Sequence, residues 1–275
     1  MQPNELFDLT GRVVVITGGA GLLGQRHAEA IAGAGGVPLL ADTRTELLDA
    51  DPVGFAERFG SEASLVRVDV TDPRSVESLL ASILGRYGRV DALINNAANN
   101  PKVEPGSDVE FSRLEAFPME QWQADLAVGL TGSYLCSRVI GGEMARRGRG
   151  VIVNVASDLA LIGPDQRLYR QPGLPEELQP VKPVTYSVVK SGLIGLTRYL
   201  ATYWATSGVR VNAISPGGVY TDQPEEFVQR LSNLIPLGRM ANADEYAGAI
   251  LFLCSDASSY MTGANLVVDG GRTAW

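Results

Sequence analysis

The sequence predicts a single-domain α/β protein built on a doubly wound parallel sheet in three layers, α/β/α. Three observations predict it. Short, wholly apolar runs recur along the chain and alternate with longer helix-like stretches, as expected of strands buried on both faces of a helix-covered sheet. A glycine-rich turn joins the first such run to the first helical stretch. A chain of 275 residues, 45% hydrophobic and 20% charged, suits one large core.

The run 13–17, the glycines after it and an alanine-rich stretch to residue 34 read as strand, turn and helix. Runs at 37–41, 65–68 and 92–94 give three further strands, with helices at about 45–59 and 73–87 between them. Runs at 151–155 and 209–214 continue the sheet, separated by a long helical stretch from Tyr186 to Ser207, and 265–268 supplies the last strand. Two irregular segments, about 99–118 and 158–183, are rich in Pro, Gly and charge, and each follows a predicted strand. Ligands of open α/β sheets bind at the carboxyl ends of the strands, so these are expected to be substrate-loop insertions within one domain, 1–275.

A net charge of −8 excludes a broad nucleic-acid footprint, because a polyanion needs a dense basic face. Cys136 and Cys254 lie far apart with no metal-like spacing and read as reduced, buried thiols. Residues 1–10 lack a positive, apolar leader pattern, and no apolar run approaches the roughly 18 residues of a membrane span. The expectation is a cytoplasmic protein acting on a small molecule, with neither a nucleic-acid nor a membrane partner.

Thr17-Gly18-Gly19-Ala20-Gly21-Leu22-Leu23-Gly24 stands between strand and helix, the context a dinucleotide fingerprint requires. Glycines there let the backbone approach a pyrophosphate, whose charge the helix N-terminus meets. Asp42 ends the second strand, where a carboxylate accepts hydrogen bonds from ribose hydroxyls and repels a 2′-phosphate. NAD is therefore expected over NADP, with Arg44 two residues on partly offsetting the repulsion.

The glycine segment, Asp69-Val70, Asn95-Asn96-Ala97, Tyr186-Ser-Val-Val-Lys190 and Pro216-Gly217-Gly218-Val219-Tyr220-Thr221, in that order, resemble the short-chain dehydrogenase/reductase family over nearly the whole chain. The resemblance implies a Rossmann-type fold, oxidoreductase activity and a homo-oligomer, a dimer or tetramer. It places Gly18, Gly19, Gly21, Leu22, Leu23 and Gly24 at the cofactor, with Asp42 on the ribose and Asp69 and Val70 flanking the adenine. Asn95 and Ala97 would sit beside the cofactor with Lys190, Pro216 and Gly217, while Val219 and Thr221 would hold the carboxamide. The glycine spacing departs from the single-domain branch, which usually has glycine at the position of Leu22, and resembles the extended, nucleotide-sugar-modifying branch. The remaining motifs favour the single-domain branch.

A tyrosine with an ordinary pKa near 10 is a poor base at neutral pH. Lys190 follows Tyr186 by four residues in a predicted helix, so both face one way and the ammonium favours the phenolate. Ser157, after the run 151–155, resembles the family serine that hydrogen-bonds the substrate oxygen. Ser157, Tyr186 and Lys190 are thus the expected catalytic residues. No metal site is visible, and His27, the sole histidine, reads as a packed helix residue.

The family usually places asparagine at the position of Gly129, where it holds a water in the proton relay. Here either water fills the space or a polar group such as Asn99 or Asn100 substitutes. The motifs, with the ending Asp269-Gly-Gly-Arg-Thr-Ala-Trp275, look most like reductases of flagellin-glycosylation and nonulosonic-acid sugar pathways, implying a polar keto-sugar substrate. Arg167, Arg170 and Lys182 would then meet an anionic group, unless they are solvated loop charges. The alternatives are a reductase of 3-oxoacyl or other hydrophobic ketones, which predicts an apolar pocket under 158–183, and a dinucleotide-binding regulatory protein with weakened catalysis.

Overall fold

The computed structural model describes residues 3–46, 51–99 and 112–275. Seven strands form one parallel sheet in the order β3-β2-β1-β4-β5-β6-β7. They are β1 (Val13–Thr17), β2 (Val37–Asp42), β3 (Ser64–Arg67), β4 (Ala92–Asn95), β5 (Gly150–Val155), β6 (Val209–Pro216) and β7 (Asn265–Val268). The order reverses between β1 and β4, which both pair in register around Val15 and Leu93. A crevice opens at such a reversal, at the carboxyl ends of the strands.

Alternation along each strand splits the core in two. Val15, Leu93, Ile152 and Val211 pack on one side with Ile140, Met144, Leu200 and Trp204. Ile16, Ile94, Val153 and Ile214 pack on the other with Ala28, Ile31, Ile250 and Leu253. The helices on these faces are α1 (Leu22–Gly33), α2 (Pro52–Phe59), α3 (Pro73–Tyr87), α4 (residues 119–146), α5 (Val184–Tyr203), α6 (Glu225–Ser232) and α7 (Ala247–Cys254). Cys136 and Cys254 are both buried and free, one in each core layer, and burial pushes both thiols up to about 12.

The expected strands are present within a residue or two at each end. The helix expected over 45–59 is shorter: Asp51 caps α2 by accepting from the Gly54 amide, with Pro52 in the first turn, which is a start signal inside the expected stretch. Residues 47–50 of that stretch, and most of 99–118, lie outside the described residues. The helix expected from Tyr186 to Ser207 begins at Val184 and tightens after Tyr203 into a 3₁₀ turn at Ala205–Ser207. Helix α4 lacks a clear sequence signal because glycines interrupt it, and it widens into π turns at Ala127–Thr131 and Ser137–Gly141. Among the described residues no helix is long and apolar enough to cross a membrane.

Candidate active site

The turn after β1 is a cradle that side chains would fill. A Cβ on Gly18 would stand 2.9 Å from Ala97 Cα, one on Gly19 2.7 Å from Leu40 Cα, and one on Gly24 2.3 Å from the Gly18 carbonyl oxygen. Gly18 also has φ +63, a conformation other residues rarely adopt. Gly21 precedes α1 with no side-chain cap, so the amides opening that helix are available to an anion. The cradle thus fits a dinucleotide on three counts: glycine where Cβ atoms clash and an uncapped helix start suit the pyrophosphate, and a carboxylate at the adjoining strand end suits the ribose hydroxyls.

That carboxylate, Asp42, is 7% exposed and braces the loop. One oxygen accepts from the Ala20 amide at 3.1 Å; the other accepts from Arg44, through its amide at 3.0 Å and its Nε at 3.5 Å. Asn96 ties the same loop to β4 by donating to the carbonyls of Thr17 and Gly18. Asp69 Oδ1 accepts from the amide and hydroxyl of Thr71, and Val70 packs where a Cβ on Gly132 would lie, 2.7 Å from its Cγ2.

The Asn95 side chain is engaged within the fold. It is 1% exposed and turns inward, donating to Asn154 Oδ1 at 2.8 Å and Ser137 Oγ at 3.0 Å. Asn154 in turn donates to Thr197 Oγ1. The side chain ties β4 and β5 to α4 and faces away from the crevice, leaving its backbone at the strand end. At the end of β6, Gly217 packs against Asp269, whose Cα a Cβ would approach to 2.9 Å. The Gln223 side chain spans the next turn, accepting from the Thr221 amide at 2.7 Å and donating to the Val219 carbonyl at 2.8 Å. The two residues expected to hold a carboxamide are therefore already engaged by one.

Ser157, Tyr186 and Lys190 come together just past β5. Ser157 is 5% and Lys190 6% exposed. Lys190 Nζ donates to the Val155 carbonyl at 2.7 Å and lies 5.8 Å from the centre of the Tyr186 ring. Burial raises the Tyr186 phenol above its ordinary value, a hydrogen bond with Ser157 works against that rise, and Asp158 adds to it. Lys182 Nζ stands closer than Lys190, 3.8 Å from the ring centre. Burial lowers both lysines to about 8, Asp158 opposing the fall at Lys182, and Lys182 further depressing Lys190.

The missing asparagine has a steric explanation. A Cβ on Gly129 would lie 2.5 Å from Val189 Cγ1, so Val189, inside the Tyr186–Lys190 turn, fills the space an asparagine needs. Beside it is a cavity of about 10 Å³, bordered by Asn99, Asp125, Thr185, Tyr186 and Lys190, at the lower limit for one water. Asp125 is 3% exposed and accepts from Thr185 Oγ1 and Gln121 Nε2. Asn99 lines this cavity, while Asn100 lies outside the described residues.

Of the three insertion cations, Arg167 pairs with Asp165 and Arg170 with Glu176, their side chains 80% and 52% exposed. They are solvated loop charges, and of the three only Lys182 reaches Tyr186. Sequence reasoning missed a buried pair: Asp158 Oδ1 accepts from Ser157 Oγ at 2.8 Å, and its Oδ2 accepts from Arg272 Nη1 at 2.7 Å. Asp158 adjoins a residue already singled out, but no local signal joins it to a position 114 residues away.

A doubly wound sheet with a dinucleotide cradle at its reversal point and a Ser–Tyr–Lys cluster beside it defines a class of nicotinamide-dependent oxidoreductases. The short chain dehydrogenase profile matches residues 12–169, and one described as Enoyl-(Acyl carrier protein) reductase matches 176–273; the chain belongs to the short-chain dehydrogenase family. It is 33% identical to D-threitol dehydrogenase of Mycolicibacterium smegmatis, over 97% of this chain and 95% of that one. It is 32% identical to the NAD-dependent glycerol dehydrogenase of Listeria innocua, over 97% and 96%. Its fold matches a gluconate 5-dehydrogenase of Burkholderia cenocepacia, solved with NADP and tartrate, at a TM-score of 0.85, 26% identity and full coverage of both chains.

Proposed function

We propose that the protein is an NAD-dependent dehydrogenase that interconverts a secondary alcohol and a ketone on a small polyhydroxylated substrate. The observation that carries this reading is the convergence of Ser157, Tyr186 and Lys190 past β5, joined to the cofactor cradle by the segment from Asn96 to Asn99. In alcohol oxidation the Tyr186 phenolate takes the hydroxyl proton, Ser157 Oγ hydrogen-bonds the same oxygen, and the ammonium of Lys190 favours the phenolate. A nicotinamide dinucleotide held in the cradle would supply the hydride acceptor. Gly18, Gly19, Gly21, Leu22, Leu23, Gly24, Asp42, Asp69, Val70, Ala97, Lys190, Pro216, Gly217, Val219 and Thr221, with the backbone of Asn95, are the residues proposed to hold it. The preference for NAD rests on Asp42.

The relatives are named for threitol, glycerol and gluconate, and polyols of this kind are the substrate class we favour. The narrower placement among flagellin-glycosylation and nonulosonic-acid reductases has no counterpart in those names. An acyl or other hydrophobic-ketone substrate is disfavoured because Leu168 and Tyr169 of the 158–183 segment are packed against Phe227, Leu231 and Ile235. Polar groups stand beside Tyr186: Ser157, Asp158 and Lys182. A homo-oligomer is supported by exposed Tyr199 and Tyr203, both 63% exposed and stacked on the outer face of α5.

The test is steady-state assay of threitol, glycerol, xylitol and gluconate with NAD⁺ and NADP⁺, for the wild type and Tyr186→Phe. The expected result is turnover of a polyol with NAD⁺, and a loss of kcat/KM of about 10²–10⁴ in the variant with dinucleotide affinity retained. No turnover of any of the four, or full activity of the variant, would sink the reading.

A further inference from the structure

The catalytic serine does not stand alone. Its hydroxyl donates to Asp158 Oδ1 and its oxygen accepts from the Leu159 amide at 3.2 Å. Asp158 also accepts from the Leu159 amide, at 2.8 Å, and from Arg272. Asp158 is 3% and Arg272 7% exposed. Arg272 reaches this place because the C-terminal segment is folded on itself: Asp269 accepts from the amides of Gly271 and Thr273, and Gly270 accepts from the Leu237 amide. A buried ion pair is rarely retained for stability alone, since desolvating both charges offsets much of their attraction. This one abuts the reacting groups.

We propose that Asp158 and Arg272 are positioning residues for the reaction: Asp158 orients the Ser157 hydroxyl through the hydrogen bond it accepts, and Arg272 cancels the carboxylate charge beside the Tyr186 phenol. The inference rests on the reading of Tyr186 as the proton acceptor. Its electrostatic half has a definite sign. A bare carboxylate near the phenol disfavours the phenolate, and a bare guanidinium favours it. The other groups facing Tyr186 are Lys182 before α5, Lys190 on α5, Asp125 on α4, and the phenols of Tyr169 and Tyr246. None of these is altered in the test, so their contributions are common to every variant.

The experiment measures kcat/KM for polyol oxidation against pH in the wild type, Asp158→Asn, Arg272→Met, Arg272→Lys and the double variant Asp158→Asn/Arg272→Met. NADH affinity and thermal midpoint are measured alongside. Asn keeps an acceptor for Ser157, and Lys keeps the charge. The limb on which activity rises with pH is expected to move down in Asp158→Asn and up in Arg272→Met, each by about one pH unit for a lone charge at this range. Arg272→Lys and the double variant should lie between, near the wild type, and NADH affinity should hold within about threefold, about 0.65 kcal/mol. Opposed shifts are not expected of loosened structure, which would move both single variants the same way. Shifts of the same sign, or no shift in either, overturn the proposal. Full activity of Tyr186→Phe would instead overturn the reading beneath it.

Discussion

The half of the molecule that faces the cofactor and the half that faces the substrate are built by different means. From β1 to β4 the crevice is shaped by backbone: glycines that clash with any Cβ, an uncapped helix start, and short-range braces such as Asp42 to Ala20. From β5 to the C-terminus it is shaped by charged side chains drawn from distant places: buried Asp158 after β5, Lys190 on α5 and Arg272 near the chain end, and half-buried Lys182 from the insertion. A site that binds a fixed ligand by its phosphates needs close approach. A site that moves protons needs groups whose charges offset one another in a low-dielectric place.

The contrast can be broken or sharpened by substitution. The largest effect is that of Tyr186→Phe above, confined to turnover. The cofactor half has its own buried titratable group in His27, which is 1% exposed with no partner for either ring nitrogen among the described residues. Burial lowers it to about 4. The unfolded chain takes up this proton near pH 6.5 and the folded protein resists until about 4, so stability is full above 6.5 and is lost as pH falls between the two. The loss is about 3 kcal/mol at about 1.36 kcal/mol per pKa unit. Urea unfolding of the wild type and His27→Leu at pH 7.5 and 4.5 checks it: the pH-dependent loss should shrink by that amount in the variant.

Gly24→Ala puts a Cβ 2.3 Å from a backbone oxygen that cannot rotate away. An overpacking cost of about 1–3 kcal/mol is expected, with weakened NADH binding measured by fluorescence titration. Unchanged affinity would remove the claim that backbone approach builds that half. Gly129→Asn should cost a similar or smaller amount, because the group it meets is a side chain, and Val189→Ala in the same chain should recover most of it in a thermal melt. Smallest is Arg170→Ala, which breaks an exposed pair with Glu176; a change below about 0.5 kcal/mol in stability is expected. A large loss of activity there would return the insertion's outer charges to the substrate site.

The sequence carried most of the fold. Apolar runs of three to six residues marked all seven strands because parallel strands are buried on both faces. Helix α4 escaped because Gly129, Gly132, Gly141 and Gly142 lower its helical signal, and their reason is tertiary: Val189, Val70 and Trp204 occupy the space of the missing side chains at three of the four. Asn95 stands at the end of β4, yet which way its side chain faces depends on Ser137 and Asn154, residues from other elements.

Local periodicity and short spacings were enough to mark the doubly wound sheet, the glycine cradle and the Tyr186–Lys190 pair, because each lies within one strand, turn or helix. Tertiary packing was needed to show that Val189 fills the space beside Gly129, that Lys182 lies over the Tyr186 ring, and that Arg272 closes on Asp158 beside Ser157. Those are contacts between segments remote in sequence, and no local pattern encodes which buried charge another buried charge will meet.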